Sequence, residues 1–166
     1  MTAPGIHVRR TRLADVEEIA RFINKAKPGK KQVSGAMIVD RFSEVGFLIA
    51  EHDERTVGLL GWQIENLIVR VTDFLIAPAI DRVIAGRALI ETMEEEAYQL
   101  QAEVAILFLP PNPSEGLVSF WELFDSDRRP VAELNKNWQE VAEEWNARST
   151  EVMIKQLRKG LTYKPL

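Results

Sequence analysis

The chain has 166 residues, of which 46% are hydrophobic and 28% charged, a composition that excludes a disordered or low-complexity protein. At about 150 residues per domain this length predicts one domain spanning 1–166. The 21 Lys and Arg residues against 25 Asp and Glu give a net charge of −4. That balance argues against a general binder of nucleic-acid backbones, whose affinity rests on many cations. Cysteine is absent, which removes disulfides, thiolate metal sites and a cysteine nucleophile. His7 and His52 are the only imidazoles and match no ligand spacing, so no metal is expected. The first residues, MTAPGIHVRR, hold no apolar run, and no stretch approaches about 18 uncharged apolar residues. The sequence therefore predicts a cytoplasmic protein with neither membrane nor nucleic-acid partners.

Charge is uneven along the chain. Residues 1–41 hold nine Lys or Arg against four Asp or Glu, whereas residues 91–145 hold three against thirteen. Solvated helix faces account for such runs most often. The alternative is a basic region for a phosphorylated ligand and an acidic one for a cationic partner.

IHVRRT at 6–11 reads as a short strand. Asp15, with Glu18 three residues on, reads as the capping box of a helix running to about Ala26. Its apolar face is Val16, Ile19, Ala20 and Ile23. Pro28 and Gly29 break it, and residues 33–43 can hold a second short helix. GFLIAE at 46–51 and VGLLGWQ at 57–63, joined across a polar turn, predict an antiparallel hairpin. LIVRVTDFLI at 67–76 predicts the central strand, ended by Pro78. Ala85, Leu89, Met93, Ala97 and Leu100 place a helix over 82–101, with Glu94, Glu95 and Glu96 outward. VAILFL at 104–109 reads as a strand covered on both faces. Ser114 caps a helix over SEGLVSFWELF, which DSDRRP breaks. Leu134, Trp138, Val141 and Trp145 mark another amphipathic helix, whose stripe means core or a homodimer seam more often than a ligand site. TEVMIKQLR at 150–158 reads as a last strand. Strands interspersed with helices predict a mixed α/β or α+β sheet domain.

The turn between Ile76 and the helix near Arg82 is the first candidate site. A helix N-terminus offers unpaired backbone N–H groups and the positive end of a dipole, which suits a pyrophosphate. Ala85 and Gly86 are small enough for a close backbone approach. Asp73 is the second, because a carboxylate inside an apolar strand costs free energy unless it is paired.

The segment IAPAIDRVIAGRALI at 76–90, with the order of elements from Ile6 to Phe124, resembles the GNAT family, the GCN5-related N-acetyltransferases. Ile76, Pro78, Gly86 and Leu89 match the family's acetyl-CoA motif without a gap. The resemblance implies a central, mostly antiparallel twisted sheet flanked by helices, with acetyl-CoA as co-substrate and no metal. It implies transfer of an acetyl group to an amine of a small molecule or a protein. By the same likeness Leu75, Ile76, Arg82, Val83, Ile84, Ala85, Gly86, Arg87, Asn112 and Trp121 would bind the cofactor. Asp73 or Glu65 would supply the base. Three positions depart from the motif. Asp81 stands in place of Arg or Gln, where its carboxylate repels pyrophosphate or caps the helix itself. Ile84 replaces the first glycine. Trp121 stands where a Tyr protonates the leaving thiolate, and an indole N–H is no general acid near neutral pH. A strand expected after the fourth helix is not evident. The gap-free motif and the element order favour an acetyl-CoA-dependent N-acetyltransferase as the first reading; Asp81, Ile84 and Trp121 favour the alternative, a GNAT-like domain that binds a ligand or partner without catalysis.

Overall fold

The computed structural model describes residues 5–145 and 149–158. Among the described residues seven strands run in the order β1-β2-β3-β4-β5-β7-β6, accompanied by five α-helices. The pairs β1–β2, β2–β3, β5–β7 and β6–β7 are antiparallel, and β4–β5 is parallel. The predicted mixed α/β, mostly antiparallel sheet is what forms. Two compact units divide the chain, Met1–Gln63 with Thr72–Met93 and Ile64–Val71 with Glu94–Leu166.

In the first unit, β1 (His7–Arg10) lies beside β2 (Gly46–His52), which pairs with β3 (Arg55–Glu65). Asp53 and Glu54 turn this hairpin with φ of 50° and 63°, the left-handed pair that a two-residue connection needs to match strand twist. α1 (Val16–Ala26) buries Ile19, Ala20 and Ile23, the predicted face. Its start differs from expectation. Asp15 stands at the N-cap position of α1 as expected, but it closes a short 3-10 turn and its side chain makes no cap to the helix. Its carboxylate accepts instead from the Arg12 N–H and from both Arg9 terminal nitrogens. α2 (Gly35–Arg41) begins at Ser34, whose Oγ accepts from the Met37 N–H. Ile19, Ile23, Ile38, Phe47, Ile49 and Leu59 form the core, with Leu75 packed against it. The C-terminal part of β4 (Ile68–Ile76) and the first turns of α3 (Arg82–Gln99) complete this unit.

In the second unit, the start of β4 pairs with β5 (Val104–Phe108) in the register Ile68↔Val104. α3 stops at Gln99, two residues short of expectation. Gln101 adopts φ 69°, its N–H reaches the Tyr98 carbonyl, and the Ala102 N–H reaches that of Ala97. This is a Schellman ending, and it leaves Leu100 exposed. Glu94 also departs from the outward reading: it is largely covered and accepts from Lys155 Nζ at 2.9 Å. α4 (Glu115–Glu122) starts at Ser114, whose Oγ accepts from the Leu117 N–H, as expected. The DSDRRP breaker holds a strand, β6 (Asp127–Pro130), which pairs with β7 (Glu151–Gln156). The strand after the fourth helix is therefore present. α5 (Lys136–Trp145) lays Trp138, Val141 and Trp145 on a core of Ile68, Val104, Ile106, Val131 and Val152, so its stripe is a core face; Leu134 packs there too but precedes the helix, ending the short 3-10 turn Val131–Glu133.

Candidate functional site

Leu75 and Ile76 end β4 half-buried, and the chain turns at Pro78 before α3 begins. Asp81 precedes the helix. Its Oδ1 accepts from the Val83 N–H at 2.9 Å and from the Ile84 N–H at 3.0 Å. Two of the first three N–H groups of α3 are thus satisfied by the chain's own carboxylate. Such a cap is typically worth about 1 kcal/mol, and it places a negative charge where a pyrophosphate would dock. Of the candidate residues here, Ala85 and Gly86 are buried and pack inward. Arg82, Val83, Ile84 and Arg87 are exposed. Ile84 stands 44% exposed at the position where the motif has glycine.

Asp73 lies on β4, with its side chain 13% exposed. Its partner is Arg41, from the last turn of α2: Nη2 lies 2.5 Å from Oδ1 and Nη1 lies 3.1 Å from Oδ2, a fork on both oxygens. Thr72 Oγ1 donates to Asp73 Oδ1 at 2.6 Å. The Arg41 guanidinium also stacks 4.9 Å from the Phe47 ring centroid. Gly61, paired across the hairpin with Phe47, makes room for the group. A Cβ there would fall 2.6 Å from Asp73 Oδ1 and 2.7 Å from Thr72 Oγ1. The cost of a carboxylate within an apolar strand is met by a cation from 32 residues upstream in sequence. Arg41 carried no signal in the sequence, since nothing in α2's periodicity ties it to β4.

The remaining candidates fall in the second unit. Glu65 closes β3 beside the 66–67 turn and is exposed. Asn112 sits exposed in the bend before α4 with φ 52°. Trp121 lies on α4, only 4% exposed, with the Phe120 ring edge-on to it. Among the described residues no group of His, Asp or Glu has a metal-holding arrangement, and no helix is long and apolar enough to cross a membrane.

No protein-family model matches the sequence, and no curated protein matches it. Solved structures do. A GNAT-family acetyltransferase from Staphylococcus aureus superposes with a TM-score of 0.72 at 12% identity, covering 92% of this chain and 99% of that one. The fold is that of the GNAT acetyltransferases. The ribosomal-protein-S18-alanine N-acetyltransferase of Escherichia coli gives a TM-score of 0.68 at 10% identity, covering 97% of this chain and 99% of its own. The PaiA N-acetyltransferase of Thermoplasma acidophilum, solved with coenzyme A, gives 0.64 at 17% identity, covering 91% and 98%.

Proposed function

We propose that this chain is a GNAT-like ligand- or partner-binding domain that does not grip acetyl-CoA in the family's usual way. The observation that carries this reading is the Asp81 cap. A bound pyrophosphate has to displace the carboxylate from Val83 and Ile84, or lie beside it. At 4 Å two like unit charges repel by about 4 kcal/mol in an effective dielectric of 20, roughly a thousandfold in affinity. The exposed Ile84, a bulky side chain where the motif has glycine, supports the reading.

A second reading is an acetyl-CoA-dependent N-acetyltransferase acting on an amine of a small molecule or protein. It is favoured by the gap-free motif and by Arg82 and Arg87, exposed on the first turns of α3. In that reading the cofactor displaces Asp81, and water protonates the leaving thiolate in place of a Tyr. Asp73 acts as base only after Arg41 releases it, and Glu65 is the other candidate.

Calorimetry with acetyl-CoA and with CoA, on the natural chain and on Asp81→Arg, separates the two. No binding by the natural chain with micromolar binding by the variant is the expected result. Micromolar binding by the natural chain overturns the first reading and calls for an amine screen. No binding by either removes acetyl-CoA from the function and leaves the fold alone.

A further inference from the structure

From Ile19 to Val39 the chain carries five cations, Arg21, Lys25, Lys27, Lys30 and Lys31, and no acidic residue. The four lysines lie at the end of α1 and on the loop that joins it to α2, and all are exposed. This loop is tied at two levels. Asn24, near the end of α1, donates from Nδ2 to the Val33 carbonyl at 2.9 Å and accepts from the Val33 N–H at 2.8 Å. Inside that clamp the Lys30 N–H reaches the Lys27 carbonyl at 3.1 Å, closing a turn through Pro28 and Gly29. Gly29 stands open: an added Cβ would meet nothing within 4 Å. Among the described residues none of the four lysines enters an ion pair. Lys25 has a structural use, since it sits in the last turn of α1 at the negative end of the helix dipole. Lys30 and Lys31, beyond the turn, have none. A closed turn that gathers like charges does so against their repulsion.

The side-chain types narrow the partner. Lysine ammoniums are point charges on flexible stems, without the planar fork that reads a phosphate or a base edge. No aromatic residue stands on residues 25–32 to stack a base. What suits the loop is a row of carboxylates. The chain carries such a row. Glu140, Glu143 and Glu144 are exposed on α5 at i, i+3 and i+4, hence on one face, opposite the stripe of Trp138, Val141 and Trp145 that packs into the core. Gln139 Nε2 donates to Glu143 at 3.1 Å, and no cation pairs with these three glutamates among the described residues. We propose that the lysine loop of one copy docks on the α5 carboxylates of a second copy, in a contact made by charge and broken by salt. In a chain of net charge −4 most of the surface repels carboxylates, so the loop is where such a row can land.

Sedimentation velocity on the full chain, without any CoA compound, tests this. In about 0.05 M salt the mean mass is expected to rise with concentration, and in about 0.5 M to return to that of one chain, because exposed charges are then screened within a few ångströms. The triple variant Lys27→Glu, Lys30→Glu, Lys31→Glu is expected to weaken association at least about tenfold, and so is Glu140→Lys, Glu143→Lys, Glu144→Lys. Glu91→Lys, Glu95→Lys, Glu115→Lys makes the same change of net charge at exposed acids off α5 and is expected not to weaken it. A mass of one chain at every concentration overturns the proposal. If that monomer nonetheless binds a poly-glutamate peptide, the loop serves an acidic partner of another sequence instead. Association that survives either of the first two variants overturns it as well. No residue of the α3 turn is involved, so failure here leaves the Asp81 reading untouched.

Discussion

Arg9 holds two carboxylates at once. Its terminal nitrogens lie 2.9 Å from both Asp15 oxygens, and its Nε lies 3.1 Å from Glu51. The hydrogen bonds from Arg9 hold the Asp15 carboxyl down at about 2, with help from the Arg12 N–H. A carboxylate depressed in the folded state stabilises above its unfolded value, and that contribution disappears as pH falls through the folded one. Asp15 therefore contributes on the order of 2 kcal/mol near neutrality, lost between roughly pH 4 and pH 2. Urea melts at stepped pH should show Asp15→Asn destabilised at pH 7 and level with the natural chain near pH 2. Asp81 makes a contrasting case. Asp81→Ala should lower stability by about 1 kcal/mol through loss of the cap, while raising CoA affinity by removing a negative charge. Thermal melts in the presence and absence of CoA read both effects. Arg41→Met should cost about 2 kcal/mol, since it strands Asp73 at low exposure. Asp73 announced itself in the sequence by its misfit with the strand around it. Its partner did not, because an ion pair across 32 residues leaves no local pattern.

Elements whose cause is local were legible. The α1 face, the hairpin at 46–63, the Ser114 cap and the apolar β5 all follow from periodicity, turn residues or side-chain hydrogen bonding over three residues. β6 was not, because four residues, Asp127, Arg128, Arg129 and Pro130, carry no alternation of apolar and polar side chains. It forms through pairing with β7, reinforced by Arg128 forked onto Glu151 at 2.6 and 3.0 Å. The end of α3 was misread for a similar reason: helical spacing continues to Leu100, but the Schellman hydrogen bonds stop it at Gln99. Gln101 takes the left-handed conformation that glycine adopts without strain. Gln101→Gly should therefore raise stability by up to about 1 kcal/mol in chemical denaturation. A lower midpoint would show that the Gln101 side chain contributes more than its backbone costs.

At the scale of the molecule, each unit has its own apolar centre. Leu59 in the first and Ile106 in the second are almost wholly buried. Truncating either to alanine should cost about 2–5 kcal/mol in equilibrium unfolding. The basic N-terminal stretch reads differently once folded. Arg9 and Arg41 are committed to carboxylates of their own unit, so the segment's nine cations are not nine places for an anion. The two outermost strands have one more consequence. β1 is His-Val-Arg-Arg and β6 is Asp-Arg-Arg-Pro, each four residues long. A growing amyloid needs a long, uncharged edge with N–H groups to spare, and both rims of this sheet present arginines, one of them ending in a residue with no N–H at all. Concentrated solutions of the chain are thereby guarded against stacking edge to edge.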